Sequence, residues 1–173
     1  MKTIIAVVLI VAVCTVVVAD FRQIEVETDL VGCENIQLLY CWGEGEVTGS
    51  AYAQAYSGGG YQQLHVGANY HPTSWLTIGV AVGADTAGFR RVGSLFANQD
   101  RWQLALIHKD GESGSWHKDT ITYCVSDRLT VGYIDQSFCG RGATTHIRLN
   151  NNTSLNYSLF DRGAQLLSVA RSF

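Results

Sequence analysis

Apolar residues alternate with polar or small ones along most of this chain. The clearest case is WLTIGVAVGA, residues 75–84, in which Leu76, Ile78, Val80, Val82 and Ala84 hold one phase and Thr77, Gly79, Ala81 and Gly83 the other. Side chains of an extended strand point alternately to opposite faces, so the segment reads as a strand with one greasy face and one crowded, small face. The preceding segment sets Leu64, Val66, Ala68 and Tyr70 against Gln63, His65, Gly67 and Asn69, and His71-Pro72-Thr73-Ser74 turns one strand into the other. Reading the same phase along the chain predicts further strands over residues 24–30, 36–42, 47–56, 91–98, 102–106, 121–125, 129–133, 145–149 and 155–159, and from Gly163 to the end. No helix is needed.

Alternation fits a soluble sandwich, with its apolar face inward, as well as a membrane barrel, with its apolar face toward lipid. Three features favour the barrel. The second face of residues 75–84 carries none of the Lys or Glu expected of a strand face in water, and Gln63, His65 and Asn69 next to it can hydrogen-bond one another inside a lumen. Tight turns (Gly43 to Gly45, His71 to Ser74, Asn98 to Asp100, Ser126-Asp127, Asn150 to Asn152) alternate with glycine-rich connections expected to be longer (Ser57 to Gly60, Asp85 to Arg90, Lys109 to Trp116, Ser137 to Gly142, Asp161 to Gly163). Trp42, Tyr70, Trp75 and Trp102 stand beside the tight turns, as an interfacial aromatic girdle would. Finally, the chain closes on Phe173, with Leu167 and Val169 in phase with it.

In this ending and in its overall pattern the chain resembles the bacterial outer-membrane β-barrel proteins, whose last strand closes on an aromatic residue read by the barrel insertion machinery. Arg171 stands where that family usually has an apolar residue, and an arginine near a rim can snorkel. The resemblance implies an all-β fold: a closed antiparallel up-and-down transmembrane barrel of 8–12 strands. A tilted membrane strand needs about 9 to 11 residues. The segments read above make twelve strands, or ten if the first two form a plug, or eight if the weak ones are loops. An even count places both termini and every tight turn on the periplasmic side.

Residues 1–19 carry Lys2, an apolar run and then Val17-Val18-Ala19, which reads as a secretory signal cleaved after Ala19 and leaves residues 20–173 as a single barrel domain. Eighteen glycines and one proline suit strands, and the formal charge of −3 without a basic cluster offers nothing to nucleic acid. Beyond the leader, Cys33, Cys41, Cys124 and Cys139 are an even set suited to disulfides in an oxidising compartment. Matching depth in the barrel suggests Cys33 with Cys139 and Cys41 with Cys124, but such partners lie far apart around a twelve-stranded ring, which points to fewer strands, inward-folded loops or free thiols. Cys33 and Cys41 are too far apart along one strand to pair.

The five histidines, His65, His71, His108, His117 and His146, show no metal-ligand spacing, so no metal or cofactor is expected. Gln63, His65, Asn69, Arg128, His146 and Arg148 are expected on the lumen face. Glu25, Glu27 and Asp29 share one face of the first strand, and an acidic sector opposed to these bases would make either an ion-selective constriction or a salt-bridged plug. His108, Glu112 and Ser113 supply the residue types of acyl transfer at the outer end of a strand. The outer-membrane lipid A deacylases are similar in layout, but they carry a serine two residues after the histidine, where this chain has Asp110.

The expected function is therefore a passive one: an integral outer-membrane barrel acting as a narrow pore, an adhesion or masking protein or a structural element, its external loops carrying any recognition. Its surroundings would be the lipid bilayer and lipopolysaccharide, with small solutes or surface ligands unnamed. A lipid A acyl hydrolase on a similar barrel and a soluble secreted binding domain are the alternatives.

Overall fold

The computed structural model describes residues 21–28, 34–57 and 60–173. The expected leader, Asp29 and Cys33 lie outside them. Twelve strands follow one another: β1 (Phe21–Thr28), β2 (Glu34–Trp42), β3 (Val47–Tyr56), β4 (Gln62–Thr73), β5 (Leu76–Asp85), β6 (Gly88–Gln99), β7 (Trp102–Gly111), β8 (Trp116–Ser126), β9 (Leu129–Gln136), β10 (Gly140–Arg148), β11 (Thr153–Phe160) and β12 (Gln165–Ser172). Each pairs antiparallel with the next, and β1 pairs with β12 from Gln23↔Ser172 to Thr28↔Leu167, closing an up-and-down barrel. Closure leaves no unpaired edge.

The phase read from the sequence sets the faces. Val80 is 66 % exposed on the outer surface, with Ile78 and Val82 exposed beside it, while Thr77, Gly79, Ala81 and Gly83 look inward. Ile24, Val26, Ile36, Leu64, Val66, Val131, Leu159 and Val169 extend the apolar surface around the wall. The buried side chains are largely polar: Glu27, Asn35, Gln54, Gln63, His65, Arg90, Lys109, Gln136 and Ser168 are all sequestered inside. The molecule thus turns a soluble protein inside out, as hydrocarbon around the wall would demand.

Both described chain ends fall on one rim, called proximal here, together with the connections after β2, β4, β6, β8 and β10; the other connections form the distal rim. Tyr70, Trp75 and Trp102 are exposed near the proximal rim, where Trp102 packs on Tyr123 (centroids 5.0 Å apart) and Trp42 on Tyr40 (5.7 Å). Among the fully described connections the expected contrast between short turns and long loops does not hold. Between β5 and β6 only Thr86 and Ala87 intervene, and between β7 and β8 only residues 112–115. Gly88 and Gly111 had suggested loop, but they continue the ladder. A Cβ on Gly111 would lie 2.2 Å from the Phe89 carbonyl oxygen, so glycine serves there to let neighbouring strands close up rather than to make a loop.

Candidate functional site

A cavity of about 690 Å³ occupies the barrel interior, lined by residues of β1 to β9. Its lining runs from Gln23, Thr48 and His71 near the proximal rim to Tyr56, Trp116 and Gln136 near the distal one. His71 ties the lower wall together, its Nδ1 2.9 Å from Thr77 Oγ1 and its Nε2 2.9 Å from Thr48 Oγ1.

Lys109 crosses the upper half of this space. Its side chain projects inward from β7 and is 8 % exposed; the ammonium donates to Gln63 Oε1 at 3.3 Å and lies 4.7 Å from the ring centroids of both Tyr52 and Trp116. Tyr52 is on β3, so the lysine spans the lumen instead of lying along its own wall. Two aromatic faces hold the cation by their quadrupoles. The Tyr52 hydroxyl donates to Gln37 Oε1 at 2.9 Å, Gln63 donates to Gln54, and Gln54 Nε2 donates to Tyr56 at 3.1 Å. His65 stacks on Tyr52 with centroids 5.9 Å apart and planes 10° from parallel. A Cβ on Gly83 would meet the His65 ring at 2.7 Å, so the small face of β5 makes room for this shelf.

Toward the distal rim a second cluster closes the mouth on one side. Arg90 Nε lies 2.5 Å from Asp85 Oδ2, Ser113 bonds both residues, and the Tyr61 hydroxyl donates to Asp85 Oδ2 at 3.2 Å. Burial pushes the Tyr61 phenol up, which keeps it a donor.

The opposite wall is acidic. Glu25 accepts from Ser168 and from Asn156 Nδ2 at 3.4 Å, and Glu27 accepts from Asn35 Nδ2 at 3.3 Å. In the strand ring β1 is six places from β7. Glu25 and Glu27 therefore face Lys109 and the neighbouring Lys118 across the cavity, and no ion pair joins the two sets among the described residues. Of the basic residues expected to oppose Glu25 and Glu27, His146 and Arg148 are on β10, three places from β1 in the ring, while Lys109 and Lys118 stand on the far side. Gln63, His65, Asn69, His146 and Arg148 do hold inward positions on their strands, with Arg148 exposed at the proximal end. Arg128 does not: it is exposed in the turn between β8 and β9. The sequence pattern puts Lys109 in the connection before Trp116 and leaves Lys118 outside the strand expected over residues 121–125, so neither is assigned a face; each stands beside an aspartate, Asp110 or Asp119.

The proposed acyl-transfer set is not assembled. His108 follows Trp102, Leu104 and Leu106 on the outer face and bonds Asp119 (Nε2 to Oδ1 2.9 Å), whereas Ser113 is held by Arg90 and Asp85 at the mouth of the lumen. Glu112 lies against Gly88 and Phe89. Cys41 and Cys124 are free thiols on β2 and β8, on opposite sides of the ring, so that expected pair does not form. Gln136 Nε2 lies 3.6 Å from Cys139 Sγ. Beyond β12, Phe173 is exposed, and the Arg171 guanidinium sits 5.1 Å over its ring, which gives the unexpected arginine a partner.

Outside the barrel, near the distal rim, β6 to β10 carry polar side chains in the outward phase. Arg91 Nη2 donates to Asp110 Oδ2 at 2.7 Å, the His108 and His117 rings lie 5.8 Å apart, and His117 contacts Asp135 and Ser137. Arg141 Nε donates to the second oxygen of Asp135 at 3.2 Å.

No family model and no curated protein matches this chain. Solved structures do. The KdgM porin, solved in complex with disordered oligogalacturonate, aligns with a TM-score of 0.62 and 14 % identity over 89 % of this chain and 98 % of that one. The likeness is one of fold. The NanC porin aligns with a TM-score of 0.54 and 10 % identity (88 % and 98 % covered), and the outer membrane protein Omp33 of Acinetobacter baumannii with 0.50 and 12 % (90 % and 97 %). At such identities the wall is shared and the lumen residues are this chain's own.

Proposed function

We propose that this protein is a passive outer-membrane channel for small polar solutes, with its proximal rim in the periplasm. The carrying observation is the cavity of about 690 Å³, with Glu25, Glu27, Gln37, His65, Lys109 and Lys118 among its lining residues, inside a wall whose outer face is apolar. The shared fold of the KdgM and NanC porins and Omp33 supports the location. The surroundings that follow are the bilayer and lipopolysaccharide, reached through the barrel insertion machinery, for which Phe173 is the candidate signal.

Lys109, reaching into the lumen from β7, and Lys118 on β8 against Glu25 and Glu27 on β1 set a field across the path, not along it. A transverse field orders a dipolar solute and its hydration without trapping either sign of ion, because opposite charges drift to opposite walls and still pass. The described connections after β5, β7, β9 and β11 are short and give little area for recognition, so selectivity falls to the lumen. Reconstitution into planar bilayers tests the reading: discrete conductance steps are expected, and a membrane left silent by folded, heat-modifiable protein would refute it.

A further inference from the structure

We infer that Ser137, His117 and Asp135 form a serine ester hydrolase site on the outer wall of the barrel at its distal rim, taking the acyl ester of a membrane lipid. Ser137 lies in the short connection between β9 and β10 and meets His117, near the start of β8, across the strand pair. Ser137 Oγ is 2.9 Å from His117 Nδ1, and His117 Nε2 is 3.3 Å from Asp135 Oδ1.

The hydrogen-bond partners fix the protons. A carboxylate only accepts, so Nε2 carries the hydrogen, and Nδ1 of the neutral ring is left to accept from Ser137. Ser137 Oγ also accepts the His117 backbone N–H at 2.8 Å, which leaves its own O–H free to point at the ring. Arg141 holds the second carboxylate oxygen of Asp135 and fixes the acid's orientation. This is the order nucleophile, base, positioning acid that acyl transfer requires.

Its surroundings suit a lipid. The next residue, Phe138, is held at φ 72° and is 84 % exposed, placing an apolar ring beside the serine. A positive φ costs a bulky side chain energy, and such strain gathers at functional turns. The Phe138 amide makes no backbone hydrogen bond among the described residues, and it is the donor this turn offers an oxyanion. The site opens outward, where the apolar wall gives way to the polar rim and a lipid's ester linkages would sit.

The chemistry balances with water as the second reactant. Ser137 Oγ attacks the ester carbonyl and His117 takes its proton; the carbon–oxygen bond to the alcohol breaks, and the alcohol leaves with that proton. Water then attacks the acyl-serine, passing a proton through His117 back to Oγ, and the fatty acid departs. The choice of a lipid rests on the membrane placement above; the serine chemistry does not.

The test uses the full chain folded in detergent micelles, with heat-modifiable mobility as the check on folding. A fluorophosphonate probe should add one adduct, mapped by peptide mass to Ser137. Hydrolysis of a soluble p-nitrophenyl acyl ester should fall at least about 1000-fold in Ser137→Ala and His117→Ala variants that still fold. An unlabelled wild-type protein, an adduct elsewhere, or undiminished hydrolysis in Ser137→Ala overturns the site. Parallel arms with phosphatidylethanolamine vesicles and with lipopolysaccharide name the lipid, and cleavage of the soluble ester with neither arm active overturns the lipid assignment. A silent bilayer recording leaves these outcomes untouched, so the channel and the hydrolase fail separately.

Discussion

Two arcs of the outer wall obey different rules although the same alternation builds both. On β4 and β5 the outward phase stays apolar almost from rim to rim, through Tyr70, Ala68, Val66 and Leu64 and through Ile78, Val80 and Val82. On β7 the outward phase begins Trp102, Leu104, Leu106 and then changes to His108 and Asp110. Neighbouring strands repeat the change with Arg91, His117, Asp119, Asp135 and Arg141. A barrel in a uniform slab would have an apolar band of uniform height. Here the band is lower on the β6 to β10 side, where paired charges reach the outside near the distal rim. The difference teaches that strand phase fixes which way a side chain points, while depth decides what that direction means.

The contrast can be broken most severely by placing a charge in the tall arc. Val80→Lys should cost about 2–4 kcal/mol, the penalty of a cation facing mid-bilayer, and should show as loss of the heat-modifiable folded band. His108→Lys, in the same phase on the other arc, should leave the band unchanged; equal damage at both sites would erase the distinction. Inside the barrel, Lys109→Ala removes the side chain that spans the cavity and should raise single-channel conductance by a factor of about two. Glu25→Gln combined with Glu27→Gln leaves the basic wall unopposed and should shift the reversal potential in a salt gradient toward anion selectivity. The smallest effect belongs to Arg91→Ala. Its exposed partner Asp110 sits among other polar groups, and no change in folded yield is expected.

Much of the wall was legible in the sequence because a period of two survives any fold that uses it. Leu76, Ile78 and Val80 point outward, and the twelve segments are the twelve strands, to within a few residues at their ends. Glycine misled where it meant close approach instead of turning, as at Gly111. The lumen was half legible. Gln63, His65 and Glu25 declared their face by phase, but Lys109 acquires its place from Tyr52 and Trp116, more than fifty residues upstream and seven downstream, and only closure brings all three together. Ser137, His117 and Asp135 carried a usable signal. Folding the chain back at Ser126-Asp127 sets His117 beside Ser137, with Asp135 one pleat away. Proximity in sequence points instead to His108, Glu112 and Ser113, of which His108 faces outward and Ser113 the mouth of the lumen.

The pairing of Gln23 with Ser172 brings the beginning and the end of the barrel side by side on one rim. A few flexible residues would suffice to join them, and the ring could then be cut at another proximal turn, such as that between β8 and β9, without removing a single ladder contact. Refolded in detergent, where no terminal signal is needed, such a rearranged chain should reach the same final architecture, with a different pair of strands meeting last to seal it.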